Sequence, residues 1–153
     1  YINDHQIQAV LLAMEQRTPT VSEAARALGV LPFQIIKSLV FTVKDEPVLV
    51  ITNGLARVDR RKIAMYLGVS HNRVKFASAD RALAISGFVV GSMPPFGHLQ
   101  RIRTLIDSEV TRLGVAYCGG GYIDAMMRIA DGELVRVTSG EILDLSEDVG
   151  GYV

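Results

Sequence analysis

Two apolar runs joined by a short turn constrain this chain more than any other feature. Ile36 to Val43 is rich in β-branched and aromatic residues and reads as a strand. Lys44-Asp45-Glu46-Pro47 reads as a turn, and Val48 to Thr52 as a second strand. The second run is almost wholly apolar, so both of its faces need cover. Links this short cannot carry a helical crossover, which makes the sheet mixed or largely antiparallel.

Short helices and further strands alternate around this pair. Asp4 to Gln16 carries Ile7, Val10, Leu11 and Met14 at three-to-four spacing and predicts an amphipathic N-terminal helix, ended by Thr18-Pro19. Thr20-x-x-Glu23 is a capping-box pattern before a helix over Ser22 to Leu28, closed by Gly29. Asp59 caps a helix that ends at Gly68, and Ser78 caps one over Ala79 to Ile85. Further strands are expected at Val74 to Phe76, Phe88 to Val90, Thr104 to Ile106, Val115 to Cys118, Ala125 to Ile129 and Ile142 to Leu145. Asp107 to Leu113 predicts one or two helical turns, and Asp131 a cap for a short helix through Val135. The expected architecture is α/β of the α+β type. A curved, mixed, largely antiparallel sheet or open barrel is surrounded by short helices, in one domain over residues 1–153.

Charge narrows the function classes. Sixteen basic residues balance sixteen acidic ones, which argues against tight, non-specific phosphate binding and makes any RNA contact local. The densest basic stretch is Arg57, Arg60, Arg61, Lys62, Arg73 and Lys75. The single Cys118 excludes an intrachain disulfide, and three scattered histidines argue against a metal site. No apolar run reaches the ~18 residues of a membrane span and no signal peptide opens the chain, so a cytoplasmic location is expected.

The stretch richest in chemistry is Gly91-Ser92-Met93-Pro94-Pro95-Phe96-Gly97-His98. Two prolines stiffen it and remove two backbone donors. Gly91 and Gly97 admit a positive φ or a close ligand. The expected form is a bent shelf with bare amides at Gly91, Ser92 and Met93, suited to a carbonyl oxygen or a phosphate; an ordinary turn has the same composition. Lys37 is the most anomalous charge. It shares one strand face with Ile35, Leu39 and Phe41. Its amine either snorkels to water or points into a pocket that receives an anion. Gly119-Gly120-Gly121 allows close approach to a ligand or a sharp bend. Asp124 could pair with Lys37, orient a substrate amine or cap the turn. His98 could act as a base or simply pack, and Cys118 reads as an inert buried thiol.

These pieces in this order resemble the YbaK family. The order is Ala27-Leu28-Gly29-Val30, Gln34 to Phe41 with its inner lysine, Val58-Asp59-x-x-Lys62, then Gly87 to Gly97 and a glycine-rich turn. That family comprises aminoacyl-tRNA deacylases related to the editing domain inserted in bacterial prolyl-tRNA synthetases. The resemblance implies hydrolysis of the ester on a mischarged tRNA, with Ala- or Cys-tRNA(Pro) as the expected target. Lys37 takes the place of the family's essential lysine, and Gly91 and Ser92 begin the catalytic loop. Met93, Pro94, Pro95, Gly97, His98, Gly120, Gly121 and Asp124 are the expected substrate-binding positions. No metal or cofactor is implied, and a ribose hydroxyl of the substrate, or a substrate thiol in the cysteine-specific members, assists. The implied partners are tRNA and an aminoacyl-tRNA synthetase, with a homodimer possible. A size-selecting pocket of Phe33, Leu39, Phe41, Met93 and Met126 is expected beside Lys37. Some family members place a histidine just after the glycine turn; here the chain reads Tyr122-Ile123-Asp124-Ala125, which leaves the amino acid open.

Two other classes compete. Val21 to Val30 and Lys62 to Ser70 each look like the first half of a helix-turn-helix, but a strand pattern follows where a recognition helix is needed. A catalytically silent tRNA-binding module of the same fold is the other.

Overall fold

The computed structural model describes residues 1–18 and 20–148. In chain order the elements are β1 (Ala9–Ala13), α1 (Val21–Leu28), β2 (Ile36–Val43), β3 (Glu46–Asn53), α2 (Arg60–Leu67), β4 (Val74–Phe76), α3 (Ala79–Ser86), β5 (Arg103–Asp107), β6 (Val115–Gly119), β7 (Ala125–Ala130), α4 (Asp131–Thr138) and β8 (Glu141–Leu143). Short 3₁₀ turns sit at Pro32–Gln34, His71–Arg73 and Ser108–Arg112.

The two apolar runs form the expected hairpin, in register from Ile36 opposite Asn53 to Val43 opposite Glu46. Lys44 and Asp45 turn it with φ of 49° and 67°, the positive values that a tight hairpin link requires. β5 pairs with β3 in parallel, and β8 with β5 in parallel. The sheet order is β4-β2-β3-β5-β8, and a second, antiparallel sheet runs β1-β7-β6. A single parallel bridge, Ile35 to Tyr117, joins them. The mixed, largely antiparallel arrangement is as expected, divided between two sheets with neither closed.

Alternation along β3 explains its composition. Leu49 and Ile51 face the second sheet and pack with Ala116, Cys118, Met127 and Ile129. Val48 and Val50 face the other way, against Phe41, Leu105, Leu145 and the α2 residues Ile63 and Ala64. The helix ends obey local chemistry. Thr20, Asp59 and Ser78 accept from Glu23, Arg61 and Arg81 amides at 3.1, 2.9 and 3.2 Å. Gly29, Gly68 and Gly87 close the helices with φ of 68°, 70° and 84°.

Three expectations fail locally. The helix predicted over Asp4 to Gln16 is instead a turn followed by β1, with Ala9 to Ala13 paired to β7. β7 otherwise leaves one edge unpaired, and its backbone groups outbid a short isolated helix. Phe88 to Val90 is a turn, not a strand. Ser86 Oγ accepts from the Phe88 amide at 3.1 Å, and the Ser92 amide donates to Val89 O at 3.0 Å, so the groups a ladder would use are consumed locally. Asp131 does not cap α4 but occupies its first position, where its carboxylate accepts from the Gly114 amide at 2.8 Å, and the helix continues to Thr138.

Candidate functional site

The site lies in a gap along β2. Among the described residues, β4 pairs with β2 from Phe41 to Val43, and β6 forms a backbone bridge at Ile35. Between those pairings Ile36 to Leu39 has no ladder partner on that side among the described residues, and a cavity of 240 Å³ opens beside it. Val40 O accepts from the Ala77 amide at 3.0 Å. Backbone direction alternates along a strand, so the polar groups of Ile36 and Ser38 point to that same open side.

Lys37 lines this cavity and is the one charged residue among its described lining. It is half-buried, and burial pulls its pKa below the ordinary 10.5. Its ammonium donates to Ala56 O at 3.4 Å, and no carboxylate pairs with it among the described residues. The Asn53 side chain builds the turn that presents this carbonyl. Its Oδ1 accepts from the amides of Leu55 and Ala56 at 2.9 and 3.0 Å.

Gly91 and Met93 line the same cavity. The strand lysine and the first part of the proline-braced loop therefore border one cavity, whereas Pro94 and Pro95 are not among its described lining. Gly91 has φ 97°, a value that favours glycine. Among the described residues, the amides of Gly91 and Met93 find no acceptor in the protein. Ser92 corrects the expectation of a third bare amide. Its amide and its hydroxyl both donate to Val89 O, at 3.0 and 2.8 Å. Its carbonyl accepts from the Gly121 amide at 2.9 Å. Ser92 is thus a buried staple, absent from the described cavity lining.

The triple glycine seats the loop. A Cβ on Gly119 would be driven into the Met93 carbonyl and would lie 2.8 Å from Ser92 O. Gly120, Gly121, Pro94 and Gly97 line a second cavity of 590 Å³ on the loop's other side, with Tyr1 and Tyr122. Pro95 and His98 border a third. His98 Nε2 donates to Pro94 O at 2.8 Å, its ring stands edge-on to Phe88, and burial lowers its pKa. It braces the loop rather than facing Lys37. Asp124 is exposed, its carbonyl accepts from the Met14 amide at 2.7 Å, and it makes no ion pair with Lys37. Of the expected pocket wall, Leu39, Met93 and Met126 line the cavity. Phe41 is instead buried in the core beneath α2, and Phe33 is exposed elsewhere.

Sequence reasoning missed much of the wall, including Thr18 with Thr20, Val21 with Ala24, Val90, Ala82 and Phe76. The first two belong to the start of α1, whose cap pattern was legible but whose placement was not. Phe76 was detectable as an aromatic that β4 has no core to bury.

A cation, two free amides and an apolar enclosure can hold an anionic oxygen. The lining holds no carboxylate and no imidazole among the described residues. Residues 15–137, which contain the whole of this wall, match the family of the aminoacyl-tRNA editing domain. The chain belongs to the aminoacyl-tRNA editing domain family. A proline–tRNA ligase of Streptococcus equi subsp. equi (strain 4047) is 33% identical over 122 residues, 78% of this chain and 19% of the ligase. One from Limosilactobacillus fermentum is 34% identical over 116 residues, 69% of this chain and 20% of that enzyme. The chain spans about a fifth of the length of the curated relatives it matches. The solved structure of a candidate trans-editing enzyme for prolyl tRNA synthetase superposes with a TM-score of 0.84 at 28% identity, covering 91% of this chain and 87% of that one. The crystal structure of a hypothetical protein gives 0.88 at 28% identity, covering 95% and 96%. The editing-domain fold leaves no room for a helix-turn-helix. α1 is followed by a 3₁₀ turn and β2, and α2 by a 3₁₀ turn and β4.

Proposed function

We propose that this editing domain is a trans-acting deacylase that hydrolyses the ester of mischarged tRNA in the cytoplasm, with alanine or cysteine on tRNA(Pro) as the target. The observation that carries the reading is one cavity lined by Lys37 and by Gly91 and Met93, whose amides have no acceptor among the described residues. Water attacks the ester carbonyl and the bond from that carbon to the ribose oxygen breaks. The carbonyl oxygen becomes an oxyanion in the transition state, and the loop amides are donors of the kind that stabilise it. Lys37 supplies a point charge for the oxyanion or the RNA backbone. The water's proton ends on the departing ribose oxygen, relayed by the neighbouring ribose hydroxyl, since no carboxylate or imidazole lines the cavity among the described residues. The small apolar enclosure complements a synthetase site, which separates side chains one methylene apart by only ~1–3 kcal/mol.

The test is a panel of mischarged tRNAs incubated with the wild-type protein and with Lys37→Ala. Loss of the ester with the wild type, slowed about 100- to 1000-fold in the variant, supports the reading. Binding without hydrolysis makes the chain a tRNA-binding module instead.

A further inference from the structure

We infer that Phe76 is the stacking platform for the terminal nucleobase of the aminoacylated RNA. The inference rests on the editing reading above and adds a subsite to it. Phe76 lines the Lys37 cavity yet remains 57% exposed, a large aromatic surface left open at the rim. It is held in place from below. Its ring meets the buried Phe41 edge-on, with centroids 5.0 Å apart and planes at 66°. One face is therefore fixed and presented before any ligand arrives.

The register places this face. Phe76 lies directly opposite Phe41, so it shares the sheet face of Lys37 and Leu39. Lys37 and Phe41 are separated along β2 by about 13 Å at the α-carbons, from the rise of an extended strand. The Lys37 ammonium donates to Ala56 O, past the Asn53 end of the hairpin and away from Phe41, so the ribose and its base have that interval to span, with half-buried Leu39 as its floor. An ester held at Lys37 thus carries its own base to the rim, where Phe76 stands. The electrostatics agree with a nucleotide. The described cavity lining holds Lys37 and no carboxylate, and Arg73 and Lys75, just before Phe76 in the chain, are exposed and without an ion pair among the described residues, Lys75 on the sheet face opposite Phe76. Aromatic faces interleaved with cations are how proteins hold single-stranded RNA ends.

The test uses RNA hairpins with a single-stranded 3′ end carrying alanine through a non-hydrolysable amide. One version ends in adenosine and the other in an abasic nucleotide. Dissociation constants are measured for the wild type, Phe76→Ala, Phe76→Leu and Phe76→Trp. Stacking worth 1–3 kcal/mol per base predicts roughly 5- to 150-fold tighter wild-type binding of the adenosine version. Phe76→Ala and Phe76→Leu should lose that preference, and Phe76→Trp should keep it. Equal wild-type binding of both RNAs overturns the inference, and so does an Ala variant that retains the wild-type preference. The ester form of the same hairpin supplies a separate readout. If the wild type fails to hydrolyse it, the deacylase reading falls while the abasic comparison still judges Phe76. If the wild type hydrolyses it and Phe76→Ala leaves KM unchanged, the inference falls and the deacylase reading stands.

Discussion

Lys37 sits at a cost to folding that the anion binding proposed above would offset. Burial, with no carboxylate nearby, makes its charged form unfavourable in the free protein. The unfolded lysine keeps its proton up to the ordinary 10.5, and the folded one releases it earlier. Between the lowered folded value and 10.5 the unfolded chain holds more protons, so stability rises with pH across that window. Lys37→Met should abolish this rise and melt up to a few degrees higher at pH 7, while deacylation falls about 100- to 1000-fold. Thermal melts of both proteins from pH 7 to 10 check it; a variant melting lower at pH 7 contradicts the account. Asn53 never lines the cavity, but it fixes the carbonyl that holds the ammonium. Asn53→Ala should lower kcat about 10-fold, the worth of a hydrogen bond to a charged group, with a smaller change in KM. Asn53→Asp keeps both acceptor contacts and should restore most of the rate. Equal losses in the two variants would mean that the turn matters only for folding.

The loop from Gly91 to Pro95 depends on the element that receives it. Gly119 is the last residue of β6, and its missing side chain is what lets Met93 and Ser92 approach. Gly119→Ala should cost about 1–3 kcal/mol by overpacking and lower Tm by several degrees. It should also weaken catalysis by displacing the Met93 amide. Gly29→Ala is the control. Its Cβ meets nothing within 4 Å, so only its positive φ resists the change, and melting should fall without a matching loss of turnover. Thermal melts with kcat for both variants separate the two cases. The contrast also explains what was legible. α1, α2 and α3 announce themselves because a cap, an apolar face and a closing glycine are all local. β2 and β3 do so because their apolar runs have one economical pairing. β1 was not legible, because its conformation is decided by the unpaired edge of β7, more than a hundred residues away in the chain. The strand expected at Phe88 failed for the opposite reason, since the Ser86 hydroxyl settles it locally. Lys37 and the loop were each legible as anomalies; that Ser92, His98 and Asp124 turn away from the cavity depends on contacts that composition does not encode.

At the scale of the molecule, the charges decide how an RNA can be held. Sixteen basic and sixteen acidic residues leave no net attraction, and several cations are already committed. Arg103 pairs with Glu141 at 2.7 Å, and Arg112 with Glu109 at 3.0 Å. Lys62 joins Asp144 and Asp148 at 2.8 and 2.9 Å, which ties α2 to the segment after β8. Arg57, Arg60, Arg61, Arg73 and Lys75 are exposed and outside any ion pair among the described residues. Two of these, Arg73 just before β4 and Lys75 within it, are sequence neighbours of Phe76, which lines the cavity. If Lys37 and these two are the phosphate contacts, about three counterions leave on binding, and log K should fall against log salt with a slope near −2 for a single-stranded end. A surface that grips the acceptor helix along its length would give a slope of −5 or steeper. Titration of the amide-linked hairpin between 50 and 200 mM salt distinguishes them, those concentrations being about the range over which such slopes are read. Arg73→Gln with Lys75→Gln should flatten the slope by about 1.4, since each lost contact removes about 0.7. The preference for the terminal base should survive in that variant, because stacking on Phe76 releases no ions. A steep slope, or a base preference that disappears with the two cations, would mean that the protein recognises the stem and not the aminoacylated end.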